Sequence, residues 1–528
     1  MEIKGKSIIG YNDGAENGQS VRAFNPSTGL EIEPPFFQAS AEEVNQTAEL
    51  AHKGFLKYSR LSGVDRARFL NEIATQIEAL GDTLTPRAME ESGLPEARIK
   101  GEIGRTTGQL RLFASLVEEG SWLNARIDTA LPDRQPLPKP DIRAMQRPLG
   151  PVVVFAASNF PLAFSTAGGD TASALAAGCS VIVKAHSSHP GTAELVGRAV
   201  REAATVTGMP DGVFSVMFGS GRTIGSALVS HPRVKAVGFT GSTAGGTALM
   251  KLASERPDPI PVYAEMGSVN PVFILSGALA EQSDSIASGL HASTTMGVGQ
   301  FCTNPGVVMV HQGEQGDAFK DSFTKHMNDH ADGIMLNRSI QKAYCEGVSA
   351  RESNSNVEVL VSSETDSESG PSLGAPAVFQ ATTEQFLGDS SLSHEIFGPE
   401  TTLIRYNSKE DLLKIAENLT GQLTATVHGS EADLKEHTDL IAILERKVGR
   451  ILFNGFPTGV DVCPSMVHGG PFPATSDGRS TSVGTYAIDR FTRLVAYQNC
   501  PQSLLPDELK DGNPLKISRM LNGQLKTE

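Results

Sequence analysis

From Pro151 to Gly241 the chain alternates short β-branched runs with helix-forming stretches, and no other feature restricts its fold as much. The runs are PVVVFAAS, CSVIVKAH, GVFSVMFG and VKAVGFTG, with a Gly/Ala-rich stretch after the first and a helical segment from Thr192 after the second. Alternation at this spacing favours parallel strands, because each strand is re-entered from the same end after a crossover helix. The expectation is an α/β fold containing a Rossmann-type sheet. A second α/β alternation runs from Pro271 to about Val460.

Upstream, from Ala41 to Gly120, apolar residues recur at three- and four-residue steps, as in AEEVNQTAELAHKGFLKYSR and DRARFLNEIATQIEAL. This spacing predicts scaffold helices. The segment LPDRQPLPKPDIRAMQRP then repeats proline, which cannot continue a helix, and reads as an extended connector at a unit boundary. SSETDSESGPSLGAP reads as a polar loop, and the tail after Gln502 as polar with little pattern.

At 528 residues the chain exceeds one simple core and has room for about two to four structural units. No apolar run approaches the ~18 residues of a membrane span. The opening MEIKGKSIIGYNDGAENG lacks the features of a secretory signal or transit peptide, so the cytoplasm is expected. The cysteines at 179, 302, 345, 463 and 500 are widely spaced without a C-x-x-C pair, which fits free thiols and predicts no metal centre. A formal charge of −15 argues against a nucleic-acid partner. It also means that an anionic substrate or phosphorylated cofactor needs its own local arginine or lysine.

Cys302 lies in MGVGQFCTNPG, where Gly297, Gly299, Gly306 and Asn304-Pro305 bend the backbone into a loop able to present a thiol. In isolation a free cysteine is more often a small buried apolar residue. Its context decides otherwise. GQFCTNPG, with AEMGSVNP before it, EIFGP after it and SNFPLAF earlier still, resembles the aldehyde dehydrogenase superfamily in motif content and order, from roughly Asn25 to Gln498.

That resemblance implies an aldehyde dehydrogenase-like architecture: a Rossmann-type cofactor domain, an α/β catalytic domain and a small β oligomerisation extension. The expected divisions are 1–134 and 150–264 for the NAD(P)-binding domain, 265–470 for the catalytic domain, and 135–149 with 471–528 for the extension and tail. A homodimer or homotetramer would follow, since exposed strand edges need partners.

By the same resemblance Cys302 is the nucleophile, forming a thiohemiacetal and then a thioester. Asn159 in SNFP supplies an oxyanion donor beside the cysteine N–H, and Glu265 activates the hydrolytic water, with its pKa raised in a partly apolar pocket. His468 in SMVHGGP either assists deacylation or orients Glu265, or is a neutral histidine bonded to a loop; the loop reading is favoured.

For the cofactor, FGSGRTIGSALVSHP and FTGSTAGG replace the standard G-x-G-x-x-G, itself a trait of the resembled family. Gly221 and Gly225 are expected to line the cofactor helix, and Gly241 and Ser242 to begin a second helix facing it. Lys184 is expected on the adenosine ribose, and Glu395 and Phe397 in HEIFGP near the nicotinamide end. Many relatives carry a glutamate where Ser187 stands. A neutral residue there removes repulsion of a 2′-phosphate, and Arg222 can contact that phosphate, so NADP is expected, with NAD possible.

The subgroup most resembled contains α-ketoglutaric semialdehyde (2,5-dioxovalerate) dehydrogenases and a bacterial fatty aldehyde dehydrogenase. Phe160, Phe164, Val462 and Phe472 suggest an apolar mouth suited to a fatty chain, whereas an arginine from elsewhere would admit the dicarboxylic semialdehyde. No sequence signal assigns that arginine, and 2,5-dioxovalerate is preferred on subgroup likeness alone. The rival classes are a non-catalytic protein on the same fold and an acylating enzyme that passes the thioester to coenzyme A.

Overall fold

The computed structural model describes residues 2–362 and 370–527. Most of the SSETDSESG loop expected from sequence lies outside them.

The first sheet is built on parallel strands β1 (Val152–Phe155), β2 (Val181–Lys184), β3 (Phe214–Met217), β4 (Ala236–Thr240) and β5 (Val262–Glu265). Their order is β3-β2-β1-β4-β5. This is the dinucleotide-fold order, in which the winding reverses between β1 and β4. Every residue of β1, β2 and β3 is buried, which is why these strands read as continuous apolar runs rather than alternating ones. The crossover from β2 to β3 is the helix Pro190–Thr207, opened by proline and closed by Gly208 at φ +69°. Two short strands, Ile8–Ile9 and Asn12–Asp13, extend the β3 edge in antiparallel fashion. They are too short to carry a readable period.

The expected scaffold helices are Ala41–Tyr58, Gly63–Ala79, Gly81–Ser92 and Glu96–Glu119. The first opens with a reciprocal cap, Glu43 N–H donating to Ser40 Oγ at 3.1 Å and Ser40 N–H donating to the Glu43 carboxylate at 2.8 Å. The last stops at Gly120, whose φ of +82° suits only a residue without a Cβ.

The second sheet contains β6 (Val272–Ile274), β7 (Val307–His311), β8 (Ala377–Thr382), β9 (Glu400–Tyr406), β10 (Gln422–His428) and β11 (Val448–Phe453) in the order β8-β9-β7-β6-β10-β11. Neighbouring pairs among these six strands are all parallel. Glu358–Val361 pairs antiparallel with β8 at the outer edge.

A separate five-stranded sheet joins the connector to the C-terminal region. Thr492–Gln498 pairs antiparallel with Ile142–Pro148 along its whole length, and Ile142–Pro148 pairs with Arg126–Asp128. Arg126–Asp128, placed in the first unit by sequence, therefore belongs to this sheet. The patternless tail contributes Arg519–Leu521 and Gln524–Lys526, strands held by pairing rather than by apolar alternation. Among the described residues no helix is long and apolar enough to cross a membrane.

Candidate active site

The helix Ser276–Thr295 runs into a tight turn, Met296–Gly299, in which Gly297 and Val298 are left-handed at φ +55° and +57°. For a β-branched residue this conformation costs on the order of 1–3 kcal/mol, so surrounding contacts must impose it. Gly299 is obligatory: a Cβ there would stand 2.1 Å from the Gly398 carbonyl oxygen.

Three amide side chains hold the cysteine loop downstream of this turn. Gln300 donates to the Gly297 carbonyl at 3.1 Å and accepts from Leu336 N–H at 3.0 Å. Asn304 donates to the Gly398 carbonyl at 3.2 Å. Asn270 Nδ2 lies 2.9 Å from each of the Cys302 and Asn304 carbonyls. The AEMGSVNP motif thus contains a clamp on the cysteine backbone that its sequence did not reveal.

Cys302 Sγ lies 3.2 Å from His468 Nε2, and the same nitrogen lies 2.9 Å from Glu265 Oε1. The loop that the His468 ring meets is that of Cys302 itself, and among the described residues its Nδ1 has no hydrogen-bond partner. The His468 backbone donates to Thr481 Oγ1 and accepts from Ser482 N–H, both at 2.8 Å. That anchorage turns the ring between the Cys302 sulfur and the Glu265 carboxylate. Ser482 Oγ donates to Glu265 Oε2. Both ionisable partners are buried, His468 with 1% and Glu265 with 4% of its surface exposed.

Burial pushes the Cys302 thiol well above its ordinary range, and the Glu265 charge pushes it further, with Arg105 opposing. At rest the sulfur keeps its proton and needs a base. For Glu265 the expectation is reversed. Burial alone would raise it, but His468, Ser482 and Cys302 together hold it below the usual carboxylate range. It is a buried anion rather than a neutral acid.

Asn159, just beyond β1, donates its Nδ2 to the Gln300 carbonyl at 3.1 Å. An amide nitrogen carries a second hydrogen, which remains available beside the cysteine loop.

The apolar wall holds Phe160, Phe164 and Phe301, with ring centroids 5.2 and 5.4 Å apart in the pairs Phe160–Phe164 and Phe160–Phe301. Val462 packs on this cluster, whereas Phe472 does not join it and is mostly exposed. Two guanidinium groups from Glu96–Glu119 lie over the rings. Arg98 is 4.5 Å from Phe160 and 4.7 Å from Phe301, and pairs with buried Glu102 at 3.1 Å. Arg105 is 5.2 Å from both Phe160 and Phe164. Its Nε and Nη2 are buried without a hydrogen-bond partner among the described residues. Burial lowers its pKa, with Cys302 the first of the groups acting in the other direction. Arg450 is also coupled to Cys302, but its Nη groups are taken by the Pro457 and Gly459 carbonyls.

The other residues singled out by sequence gather mainly at the carboxyl ends of the first sheet. Lys184 ends β2, its side chain without a hydrogen bond or ion pair among the described residues, and burial lowers its ammonium to about 8. Ser187 follows in an exposed turn. After β3, Gly221 and Arg222 open the wide turn Gly221–Gly225, capped by Ser220. Gly221 has open space around it, whereas a Cβ on Gly225 would strike the Phe155 ring at 2.6 Å. After β4, Ser242 caps the helix Thr243–Ser254 by accepting from Gly245 N–H at 3.2 Å.

Gly241 N–H donates to the Glu265 carbonyl at 3.0 Å, which brings the crevice and the Glu265 carboxylate onto neighbouring strand ends. Glu395 reaches across from the second unit. Its Oε2 lies 2.6 Å from where a Cβ on Gly267 would stand, next to Thr243 Oγ1. Burial of its carboxyl group pushes it up to about 8 against a hydrogen bond from Ser268 N–H, although the residue as a whole keeps exposed surface. Phe397 is half-buried two positions on.

A thiol set against the crevice of a dinucleotide-type sheet, with imidazole and carboxylate behind it, is the arrangement of an oxidoreductase. The chain belongs to the Aldehyde dehydrogenase family, whose model matches residues 12–496. It is 50% identical over 99% of its length to alpha-ketoglutaric semialdehyde dehydrogenase 2 of Azospirillum brasilense, covering 100% of that protein. It is 49% identical to the alpha-ketoglutaric semialdehyde dehydrogenase of Acinetobacter baylyi, over 99% of each chain. The fold matches that of an NAD-dependent aldehyde dehydrogenase from Sinorhizobium meliloti with a TM-score of 0.79 at 24% identity, covering 93% and 94% of the two chains.

Proposed function

We propose that this aldehyde dehydrogenase oxidises α-ketoglutaric semialdehyde to 2-oxoglutarate through a thioester on Cys302, using a nicotinamide dinucleotide. The observation that carries the substrate is Arg105. A buried guanidinium with two unpaired nitrogen positions, next to the nucleophile, suits the carboxylate of an oxo-acid aldehyde. A fatty chain would leave those donors unsatisfied. The names of the half-identical relatives support the same choice.

His468 Nε2 takes the thiol proton as Sγ adds to the aldehyde carbon, the step that the raised thiol requires. Cys302 N–H and the second hydrogen of Asn159 Nδ2 receive the oxyanion. The crevice fits a dinucleotide: two side-chain-capped turns open on it, Gly225 allows close approach to β1, and the Lys184 ammonium is unpaired. Lys184, Gly221, Gly225, Gly241 and Ser242 would hold it, with Glu395 and Phe397 at its nicotinamide end. When bound there it supplies the two-electron acceptor for the adduct's C–H bond. Glu265, kept anionic by Ser482 and by the imidazolium that His468 becomes on taking the thiol proton, then draws a proton from water, and His468 returns its proton to the leaving thiolate. Attack of that water on the thioester releases the acid and returns the thiol.

In this reading the first sheet is the nucleotide-binding unit and the second the catalytic unit. The five-stranded sheet pairs subunits into a dimer or tetramer. Exposed Ser187 and the unpaired Arg222 favour NADP over NAD.

A second reading, a fatty aldehyde, is favoured by the Phe160–Phe164–Phe301 wall. A substrate panel on the wild type and Arg105→Leu separates the two. Loss of one partner of a buried charge pair costs about 2–5 kcal/mol, so kcat/KM for the semialdehyde should fall at least about 30-fold, while decanal is oxidised as well or better. Wild-type preference for decanal, or equal losses on both substrates, would remove the carboxylate reading.

A further inference from the structure

The Cys302, His468 and Glu265 side chains bring three atoms of metal-ligand type to one point. Their ligand atoms all lie within 4.8 Å of one another, with Nε2 3.2 Å from Sγ and 2.9 Å from Oε1. One ring nitrogen carries at most one hydrogen, directed along one line, so it cannot serve sulfur and oxygen together. Glu265 Oε1 is buried without a hydrogen bond despite its short distance to Nε2. A cation between the three atoms would satisfy every one of them.

The geometry points to a zinc-binding site at Cys302, His468 and Glu265 that, when filled, switches the enzyme off. Zinc bonds of about 2.3 Å to sulfur and about 2.0–2.2 Å to nitrogen or oxygen place tetrahedral ligand atoms about 3.2–3.6 Å apart. The Sγ–Nε2 and Nε2–Oε1 separations need to open by only a few tenths of an ångström. One thiolate, one imidazole and one carboxylate match zinc and exclude magnesium and calcium, which take oxygen ligands.

The three side chains come from a strand end, a strained loop and a backbone-anchored turn, so the set is held in place before any ion arrives. As the Zn–S bond forms, the thiol proton leaves to solvent. The neutral imidazole and the carboxylate each give a lone pair, and nothing is oxidised or reduced. Three protein ligands leave a fourth position for water. The ion thereby removes the nucleophile and both groups that serve it, and competes with the aldehyde.

The site does not depend on which aldehyde is the substrate, and its test does not depend on turnover. Chelator-treated protein is titrated with zinc by calorimetry and with cobalt(II) by absorption. One equivalent per chain, with a thiolate-to-cobalt charge-transfer band and tetrahedral d–d absorption, is expected. Zinc inhibition should be relieved by EDTA.

Cys302→Ser, nearly isosteric, should abolish the charge-transfer band. Glu265→Gln should weaken zinc by about 10-fold or more, since even residues that only support metal ligands are typically worth about 10–100-fold. Unfolding by heat, followed by circular dichroism, verifies that each variant is folded. Zinc affinity unchanged in folded Cys302→Ser, a cobalt spectrum without the sulfur band, or no binding to the wild type would overturn the proposal.

Discussion

Cys302, His468 and Glu265 meet through side chains that are buried or half-buried, whereas Ser187, Gly221, Arg222, Gly241 and Ser242 all stand exposed at the ends of the first sheet. On the catalytic side, position is enforced by interlocks between distant elements: Asn270 on the Cys302 carbonyl, Ser482 on Glu265 and Thr481 on the His468 backbone. On the proposed nucleotide side it is enforced locally, by short capped turns and by space left where a side chain is missing. The first arrangement concentrates energy in a few atoms whose removal is costly in a low-dielectric setting. The second spreads it over backbone groups that single substitutions barely reach. Changes on the catalytic side should therefore act on kcat, and changes on the nucleotide side on the KM for the dinucleotide.

Glu265→Gln should break the catalytic side most severely. Loss of the base should lower steady-state kcat by about 10²–10⁴-fold while leaving a first burst of reduced cofactor in stopped-flow absorbance. The same variant tests the electrostatics with the opposite sign. The Glu265 charge helps to hold the Cys302 thiol up, so its removal lowers the thiol pKa, enlarges the thiolate fraction at neutral pH and speeds alkylation of Cys302 by iodoacetamide. A variant that turns over normally, or alkylates more slowly than the wild type, would dissolve the coupled cluster on which the comparison rests.

The contrast also explains what could be read in advance. Strand–helix alternation specified the first sheet because parallel strands buried on both faces leave unbroken apolar runs, as in Val152–Phe155 and Val181–Lys184. The turns at Gly221 and Gly241 were legible for the same local reason. His468 was singled out, but its place beside the sulfur was not legible, because it lies 166 positions from Cys302 and only the folded chain brings the ring there. The direction of the Glu265 shift was missed likewise, since it depends on His468 and Ser482. Arg105 left a signal that was passed over. Arg98, Glu102 and Arg105 fall at helical spacing on one face of Glu96–Glu119, and such a charged face ordinarily reads as solvated.

On the nucleotide side the sharper probe is a pair of glycines. Gly225→Ala introduces a Cβ 2.6 Å from the Phe155 ring, while Gly221→Ala introduces one into open space. Overpacking of this kind costs about 1–3 kcal/mol. Gly225→Ala should raise the KM for the dinucleotide by roughly 10-fold with kcat little changed, and Gly221→Ala, which displaces no protein atom, should raise it much less. Equal effects at the two positions would mean that close approach to the sheet is not what holds the turn.

Arg222→Ala carries the smallest expected effect and bears most directly on cofactor choice. Among the described residues the guanidinium has no ion-pair or hydrogen-bond partner, and it is exposed, so its removal leaves no buried group stranded and should not disturb folding. An exposed charge contact is worth up to about 1 kcal/mol, which corresponds to roughly a fivefold fall in the ratio of kcat/KM for NADP to that for NAD. The loss should fall on NADP alone, because NAD lacks the 2′-phosphate that the arginine would meet. It should also shrink as salt is raised, since screening over about 8–10 Å weakens a solvent-facing pair in wild type and has nothing to weaken in the variant. A ratio unmoved at low salt would take Arg222 out of recognition and leave the nucleotide preference to Ser187 and Lys184.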